Sequence, residues 1–349
     1  MVVQIDRYHR QQLVPQIGER GQKVLAQSRV LLIGCGALGS VIADQLARAG
    51  VGFLRIVDRD LVEWTNLQRQ VLYDESDARD ATPKAIAAAK QLAAINSSIQ
   101  IDARAIDVDG GNIEPLVRVD DRFVDLILDG TDNIETRYLI NDVAVKHGIP
   151  WIYGACVGTE GRAMSIIPGE TACLRCLFAQ PPDPGELPTC DTAGVLAPVA
   201  NIVASLQVAM AMKLLVDRES GEAGQMIRVD GWSPRFHVTD TREARRDDCP
   251  TCALRQFEFL DRSSSGSARL CGRNAVQVRP DGPVNLSLDK LAEKIGSTLI
   301  VERTPYLLRC REPGPAAIEL SIFPDGRAIV QGTNDLARAR SIYARYIGA

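Results

Sequence analysis

A strand that ends in glycine and turns at once into a helix constrains this chain more than any other feature. Val30-Leu31-Leu32-Ile33-Gly34 is apolar and β-rich, and Ala37–Ala49 carries small and apolar residues at helical spacing. Between them runs Gly34-x-Gly36-x-x-Gly39. A second short apolar run, Phe53–Val57, closes on Asp58, nineteen residues after Gly39. Glycines at this spacing permit a tight turn and let the backbone come close to a ligand. The helix N-terminus that follows faces anionic groups, and an acid at the end of the second strand suits ribose hydroxyls. Gly34, Gly36, Gly39 and Asp58 are therefore expected to bind a nucleotide; the plain alternative is a tight strand–helix turn without a ligand. On this motif by itself, a nicotinamide-dependent dehydrogenase is the natural reading.

Strand–helix–strand units of this kind imply an α/β fold with a doubly wound, mostly parallel sheet and right-handed crossovers. The alternation continues. Thr82-Pro83-Lys84 opens a helix running to Ile95, with Thr82 expected as its N-cap and Pro83 at its first position. Val124–Leu128 and Pro150–Tyr153 read as further strands, and Gln180–Thr189 as a proline-rich loop. At 349 residues the chain suits one large domain and a smaller one. The expected boundaries are a nucleotide-binding domain over residues 1–262, a linker over 263–269 containing SSSGS, and a small α/β module over 270–349. In that module Ala275–Arg279, Leu299–Val301, Leu307–Arg309, Ile318–Phe323 and Ala328–Gln331 read as strands, and Leu288–Ile295 and Asp335–Tyr346 as helices.

A net charge of −4 leaves no basic excess to neutralise nucleic-acid phosphates. The N-terminal MVVQIDRYHRQQ has no apolar signal core, and Pro198, Asn201, Ser205, Gln207 and Lys213 interrupt the longest apolar stretch, Val195–Val216. That stretch is expected to be a buried core helix and the protein cytoplasmic, with no membrane partner. In a reducing compartment nine cysteines are not a disulfide framework, so their spacing has to explain them. Cys173-x-x-Cys176 and Cys249-x-x-Cys252 match a closed, four-thiolate structural zinc site. The 72 residues between the pairs make it a clamp on distant segments rather than a small finger. A redox CxxC is the competing reading. Cys190, at the end of the proline-rich loop and ahead of a helix, is a candidate nucleophile or else an inert loop thiol. Cys35, Cys156, Cys271 and Cys310 read as packing residues.

Near the glycine loop, Thr65, Asn66, Arg69 and Gln70 put amides and a cation close after Asp58, and Lys84 stands at a helix start in a chain with only seven lysines. Arg69 and Lys84 would serve a triphosphate tail better than a dinucleotide; the bland alternative is two solvated surface charges. Asp129 and Asp132 flank Gly130-Thr131 at a strand end, where a carboxylate suits Mg²⁺. The alternative for Asp132 is the cap of the helix that starts near Asn133.

Together these segments resemble the MoeB/ThiF family, relatives of the ubiquitin-activating enzymes. The likeness is carried by Arg7-Tyr8-His9-Arg10-Gln11, the glycine loop, Asp58-Arg59-Asp60, Asn66-Leu67-Gln68-Arg69-Gln70, Lys84, Thr131-Asp132-Asn133, both CxxC pairs and Cys190-Asp191-Thr192-Ala193-Gly194-Val195. It covers about residues 5–255 and not the last eighty, where no sulfurtransferase active-site loop is visible. The resemblance implies ATP-dependent adenylation of the C-terminal Gly-Gly carboxylate of a small ubiquitin-like sulfur-carrier protein, leading to a thiocarboxylate in thiamine or molybdopterin biosynthesis. It implies that Asn66, Arg69 and Lys84 hold phosphates, that Asp132 holds Mg²⁺ with Asn133 beside it, and that Arg10 reaches the phosphates of a partner subunit in a homodimer. Cys190 would join a sulfur relay fed by a donor such as a cysteine desulfurase or sulfurtransferase. Two other classes compete: the dehydrogenase, and a non-enzymatic scaffold for a ubiquitin-like partner.

Overall fold

The computed structural model describes residues 7–183, 186, 188–217, 224–262, 267–270, 274–280, 284–314 and 318–348. The chain divides into two compact units, Met1–Ser263 and Ser264–Ala349. In chain order the strands of the larger unit's main sheet are β1 (Arg29–Ile33), β2 (Phe53–Val57), β3 (Gln100–Arg104), β4 (Leu126–Asp129), β5 (Trp151–Val157), β6 (Glu160–Ile166), β7 (Gln225–Asp230) and β8 (Arg235–Asp240). Their spatial order is β8-β7-β6-β5-β4-β1-β2-β3. Pairing is parallel from β5 through β4 and β1 to β3, and antiparallel from β5 outward to β8.

The helices that frame the site are α1 (His9–Gln12), α2 (Gly39–Ala49), α3 (Lys84–Ile95), α4 (Ile134–His147), α5 (Leu174–Leu177), α6 (Cys190–Ala193), α7 (Ala197–Val216) and α8 (Glu258–Asp261). Side chains alternate faces along a strand, and here both faces are covered by helices, so β1 is apolar from Val30 to Ile33. Val30 and Leu32 join Leu46, Leu92, Val203 and Ala204 in one core, while Leu31 and Ile33 join Tyr138, Leu139, Ile140 and Val143 in the other. The apolar stretch around α7 is a helix long and apolar enough to cross a membrane by composition. In the structure its inner face, with Val199, Val203, Gln207 and Ala211 buried, packs on the sheet.

Two expectations at element ends need correction. The helix opened by Thr82-Pro83 begins at Lys84, and Pro83 itself occupies the cap position with extended backbone. The reason is a bridge between Leu61 and Pro83 and a hydrogen bond from Val62 N to Thr82 O, which hold Thr82–Pro83 as a strand-like segment. The expected linker also contains structure. Ser267–Leu270 is a strand that pairs antiparallel with Ala275–Val278; residues 263–266 lie outside the described set, as do 184, 185 and 187 of the proline-rich loop.

The smaller unit is a six-stranded antiparallel sheet, adding Ile300–Arg303, Leu308–Arg311, Glu319–Ile322 and Ala328–Gln331 to those two strands. Helices Leu288–Ile295 and Leu336–Tyr346 close a core of Val276, Leu291, Ile295, Leu320, Ile322, Val330 and Tyr343. Cys310 is buried in it, whereas Cys271 lies outside the described residues.

Strand order reverses at β1, which has β2 on one side and β4 on the other. Such a switch point, at the carboxyl ends of the parallel strands, is where open α/β sheets form the crevice that binds ligands. The backbones that wall it nearly touch. A Cβ added at Gly39 would stand 2.0 Å from Gly34 O. Gly39→Ala is therefore expected to destabilise the chain by about 3 kcal/mol, read as a lowered midpoint in urea or thermal unfolding. Gly36→Ala, whose added Cβ would meet only Gln70 Nε2 at 3.7 Å, is the conservative comparison for stability.

Candidate functional site at the carboxyl ends of the parallel strands

Register sets the geometry. Ile33 pairs with Asp129, so the residues that follow each, Gly34 and Gly130, lie side by side. A Cβ on Gly34 would meet Gly130 C at 2.6 Å, and one on Gly130 would meet Gly34 O at 2.4 Å. Gly34 also has φ +87°, in the region glycine favours. Gly36 differs from both: the nearest atom to a Cβ there is Gln70 Nε2 at 3.7 Å. The loop is thus sealed at Gly34 and Gly39 and open at Gly36. Gln70 is buried beside that opening, and its Oε1 has no hydrogen-bond partner.

Asp58 braces the loop. Its Oδ2 accepts from Cys35 N at 2.6 Å and its Oδ1 from Asp60 N at 2.7 Å. Burial pushes the Asp58 carboxyl up, while the Lys84 charge pulls it down. Lys84 is itself buried, with Nζ 3.2 Å from Asp60 Oδ2 and its backbone N–H on Asp60 O at 2.9 Å. Cys35 is packed, as expected: Tyr73 donates to its carbonyl at 2.6 Å and burial pushes its thiol up to about 12.

The Thr65–Gln70 segment folds as a single turn, Trp64–Asn66, followed by Arg69 on its rim. Arg69 Nη1 donates to Thr65 O at 2.7 Å, which leaves the guanidinium partly exposed near the loop. Asn66 is buried, and its Oδ1 caps that turn by accepting from Glu63 N at 3.1 Å. Part of its side chain is thus used structurally.

At the end of β4 the two acids separate in role. Asp129 is fully buried, accepts from Thr131 N at 2.9 Å and Thr131 Oγ1 at 2.8 Å, and pairs with Arg137 Nε at 3.1 Å. Arg137 also donates to Thr131 O at 2.7 Å. Burial pushes Asp129 up and the Arg137 charge pulls it down. Asp129 is therefore a brace for the turn, and of these two acids Asp132 is the exposed one. Asp132 is not the helix cap. That role belongs to Asn133, whose Oδ1 accepts from Thr136 N at 3.1 Å, so the acceptor expected to face a nucleotide is engaged by α4.

Reading the sequence gave no site role to Arg137, Gln207 or Arg59. Gln207 Nε2 donates to Asp129 O at 2.7 Å from the middle of apolar α7, and Arg59 pairs with Asp107 at 3.1 Å. Arg59 is held charged: burial lowers its pKa, but Asp107, Asp60 and Asp132 outweigh that and raise it. The available signal was a polar residue inside an otherwise apolar helix, Gln207, and an acid at the end of a wholly buried strand that needs a cation.

Arg10 is exposed on α1, and its own chain does not bring it to the crevice. The N-terminal segment packs where α2 and α3 end, through Gln11 Nε2 to Ala49 O at 2.9 Å and Asn96 Nδ2 to Tyr8 Oη at 2.8 Å. Those helices start at the crevice, and eleven residues of α2 carry its end about 16 Å away. Cys190 is the first residue of α6, partly buried, with Sγ donating to Cys156 O at 3.3 Å. Cys156 is buried, and burial pushes its thiol up to about 12.

The four remaining cysteines converge. Cys173, Cys176, Cys249 and Cys252 have all their Sγ atoms within 4.8 Å of one another. Cys176–Cys252 is 3.4 Å, Cys173–Cys249 3.5 Å and Cys173–Cys176 3.9 Å. A tetrahedral zinc with Zn–S bonds of about 2.3 Å has S–S edges of about 3.8 Å, so the donor set and its size fit zinc. Burial and neighbouring thiols push Cys252 up to about 12, which opposes its ionisation unless a cation lies beside it. Two tests follow. Arg137→Leu leaves the Asp129 charge buried alone and is expected to cost ~3–5 kcal/mol in urea unfolding. Chelation under denaturing conditions is expected to release one zinc per chain and to lower the unfolding temperature of the refolded, metal-free protein; metal analysis and calorimetry read the two effects.

Comparison with known proteins agrees with this architecture. The model of the ThiF family matches residues 8–251. The chain is 43% identical over 344 residues to the sulfur carrier protein ThiS adenylyltransferase of Bacillus subtilis, covering 98% of this chain and 99% of that protein. It is 38% identical over 249 residues to the SAMP-activating enzyme E1 of Haloferax volcanii, covering 71% and 89% respectively. To the adenylyltransferase and sulfurtransferase MOCS3 of Mus musculus it is 38% identical over 289 residues, covering 79% and 61%. Among solved structures, E. coli MccB with ATP has a TM-score of 0.61 at 22% identity, covering 71% of this chain and 75% of that one, which is a likeness of fold. With a family model across the larger unit and a relative that aligns through both units, the chain belongs to the ThiF family.

Proposed function

We propose that this chain uses ATP to adenylate the C-terminal carboxylate of a small ubiquitin-like sulfur-carrier protein. The observation that carries the reading is the loop open only at Gly36, with a buried, unpaired Gln70 acceptor beside it and Lys84 and Arg69 near. Gly34, Gly36, Gly39 and Asp58 are assigned to the adenosine side, and Arg69, Lys84 and Thr65–Asn66 to the phosphates. The relatives' names support adenylyl transfer over hydride transfer and over a non-enzymatic scaffold, and membership of their family sets both alternatives aside. Near-complete alignment with a ThiS adenylyltransferase, C-terminal unit included, favours a ThiS-like carrier and the thiamine branch over molybdopterin.

The chemistry joins two anions. A carrier carboxylate oxygen attacks the α-phosphorus, the bond to pyrophosphate breaks, and an acyl-adenylate forms. The protein's task is positioning and charge neutralisation in line with the attack. Lys84 and Arg69 meet the polyphosphate, and the loop N–H groups at the start of α2 face it. Exposed Asp132 would hold Mg²⁺, which would supply screening of the phosphate charge. Arg10 sits at the wrong end of its own chain for this site, which supports its supply by a second copy in a homodimer. Cys190 is the assigned entry for sulfur, from a cysteine desulfurase or sulfurtransferase acting in the cytoplasm.

Carrier-dependent exchange of labelled pyrophosphate into ATP is expected to fall at least ~100-fold in Asp132→Ala and in Arg69→Ala; undiminished exchange in either removes that residue from the site. Mixed dimers purified from co-expressed Arg10→Ala and Lys84→Ala chains are expected to have about half the parental activity per dimer, since one site of each is then intact. Mixed dimers as inactive as either parent would show that Arg10 does not act across subunits. Cys190→Ser is expected to keep pyrophosphate exchange while the carrier's thiocarboxylate, followed by intact mass, is lost.

A further inference from the structure

The segment that carries Arg10 is docked on helix ends. An α-helix leaves its last carbonyls without partners inside the helix, and N-terminal side chains take these up at the ends of α2 and α3. Arg7 Nη1 donates to Ile95 O at 2.7 Å, on the last residue of α3, where a cation also suits the helix dipole. Gln11 Nε2 donates to Ala49 O at 2.9 Å, on the last residue of α2, and to Gln22 Oε1 at 2.7 Å. Arg10 is exposed, and none of these bonds uses it.

Tyr8 holds the most enclosed position of the segment. Its ring lies over Gly50, the left-handed cap of α2 at φ +82°, where an added Cβ would stand 2.5 Å from Tyr8 Cζ. Glycine there supplies both the turn and the room for the ring. The Tyr8 hydroxyl accepts from Asn96 Nδ2 at 2.8 Å and lies 3.3 Å from Ser98 Oγ. Asn96 is wholly buried, and its Nδ2 also donates to Ala47 O at 2.7 Å, so one amide ties Tyr8 to the last turn of α2. Helix α1 has little else to hold it. It is four residues long, with no buried residue and no side-chain cap, and Tyr8 is its N-cap. So short a helix does not fix itself, and the direction of Arg10 is set by the docked residues on either side of it, Tyr8 and Gln11. We propose that Tyr8 is a positioning residue: seated on Gly50 and Asn96, it fixes α1 so that Arg10 is presented to the nucleotide site of a second copy. The inference rests on the cross-subunit reading of Arg10.

Tyr8→Ala homodimers are expected to exchange pyrophosphate ~10–100-fold more slowly than the parent, as for other small displacements of a positioned group. Mixed dimers of defined composition separate this role from support of Tyr8's own chain. In a Tyr8→Ala/Lys84→Ala dimer, the site that keeps Lys84 receives Arg10 from the chain with Tyr8 intact, so about half the parental activity per dimer is expected. In a Tyr8→Ala/Arg10→Ala dimer neither site is complete, and exchange is expected to be no faster than in Tyr8→Ala homodimers. Gly50→Ala, which unseats the ring with the tyrosine unchanged, is expected to give the same pattern in both pairings. The reverse pattern, with recovery beside Arg10→Ala and none beside Lys84→Ala, would place the effect in Tyr8's own chain and overturn the proposal. Parental exchange in Tyr8→Ala homodimers would overturn it as well. An Arg10→Ala/Lys84→Ala dimer without recovered activity would instead overturn the cross-subunit reading on which it stands.

Discussion

Everything at the crevice depends on a backbone-to-backbone contact among three glycines. Gly34, Gly39 and Gly130 meet where the first and fourth strands end, with no space for a side chain on any of them. Parallel register brings them to that point, and their lack of a Cβ lets the loop fold flat against the neighbouring turn. Because three glycines seal the loop, the fourth, Gly36, is the place where something else can approach the backbone. Asp58 then reaches Cys35 N across the loop, and Lys84 reaches Asp60 from the next helix start. A bulkier residue at any sealing position would displace the acid and the lysine together.

The site treats charge in two ways. Asp129 and Arg137 form a closed unit whose hydrogen bonds are spent on the turn and on each other. Such a buried pair contributes little net stability but fixes geometry, because breaking it strands a charge. Lys84, Arg59 and Arg69 are tethered more loosely, to Asp60, Asp107 and the Thr65 carbonyl. Those partners keep the cations oriented for an incoming polyphosphate. Held this way, the cations need little reorganisation at the moment of reaction, which is where electrostatic catalysis gains most.

Much of this was legible because it is local. The strand Phe53–Val57, the glycine spacing and the Asp58 turn depend on residues within one strand–helix–strand unit, and the CxxC pairs advertise their chemistry by spacing. What was not legible is non-local or depends on one competing bond. Nothing in the vicinity of Gln207 says that it reaches a carbonyl 78 residues away. Asn133 outcompetes Asp132 for the cap because helix α4 starts one residue later than the acid would need. Pro83 fails to start its helix because Leu61 claims its backbone for a bridge. Ser267 looks like linker by composition, yet a free strand edge recruits it into the smaller sheet.

Helix α4 connects the two chemistries. Its N-terminus is capped by Asn133 next to Asp132, and eight residues further on, Asn141 and Asp142 face the cysteine turns. At 1.5 Å per residue those points are about 12 Å apart along a rigid rod. A metal that joins the Cys173 and Cys249 segments therefore also fixes the helix that carries the proposed Mg²⁺ ligand and the Asp129–Arg137 brace. Without the clamp, α4 would still be held by its core contacts through Tyr138, Ile140 and Val143. Those contacts are apolar and non-directional, so they resist separation more than sliding or rotation. Directional hydrogen bonds from turns fixed by a metal would remove that freedom. On this view the zinc serves the nucleotide site mechanically, at a distance, without sharing a ligand with it.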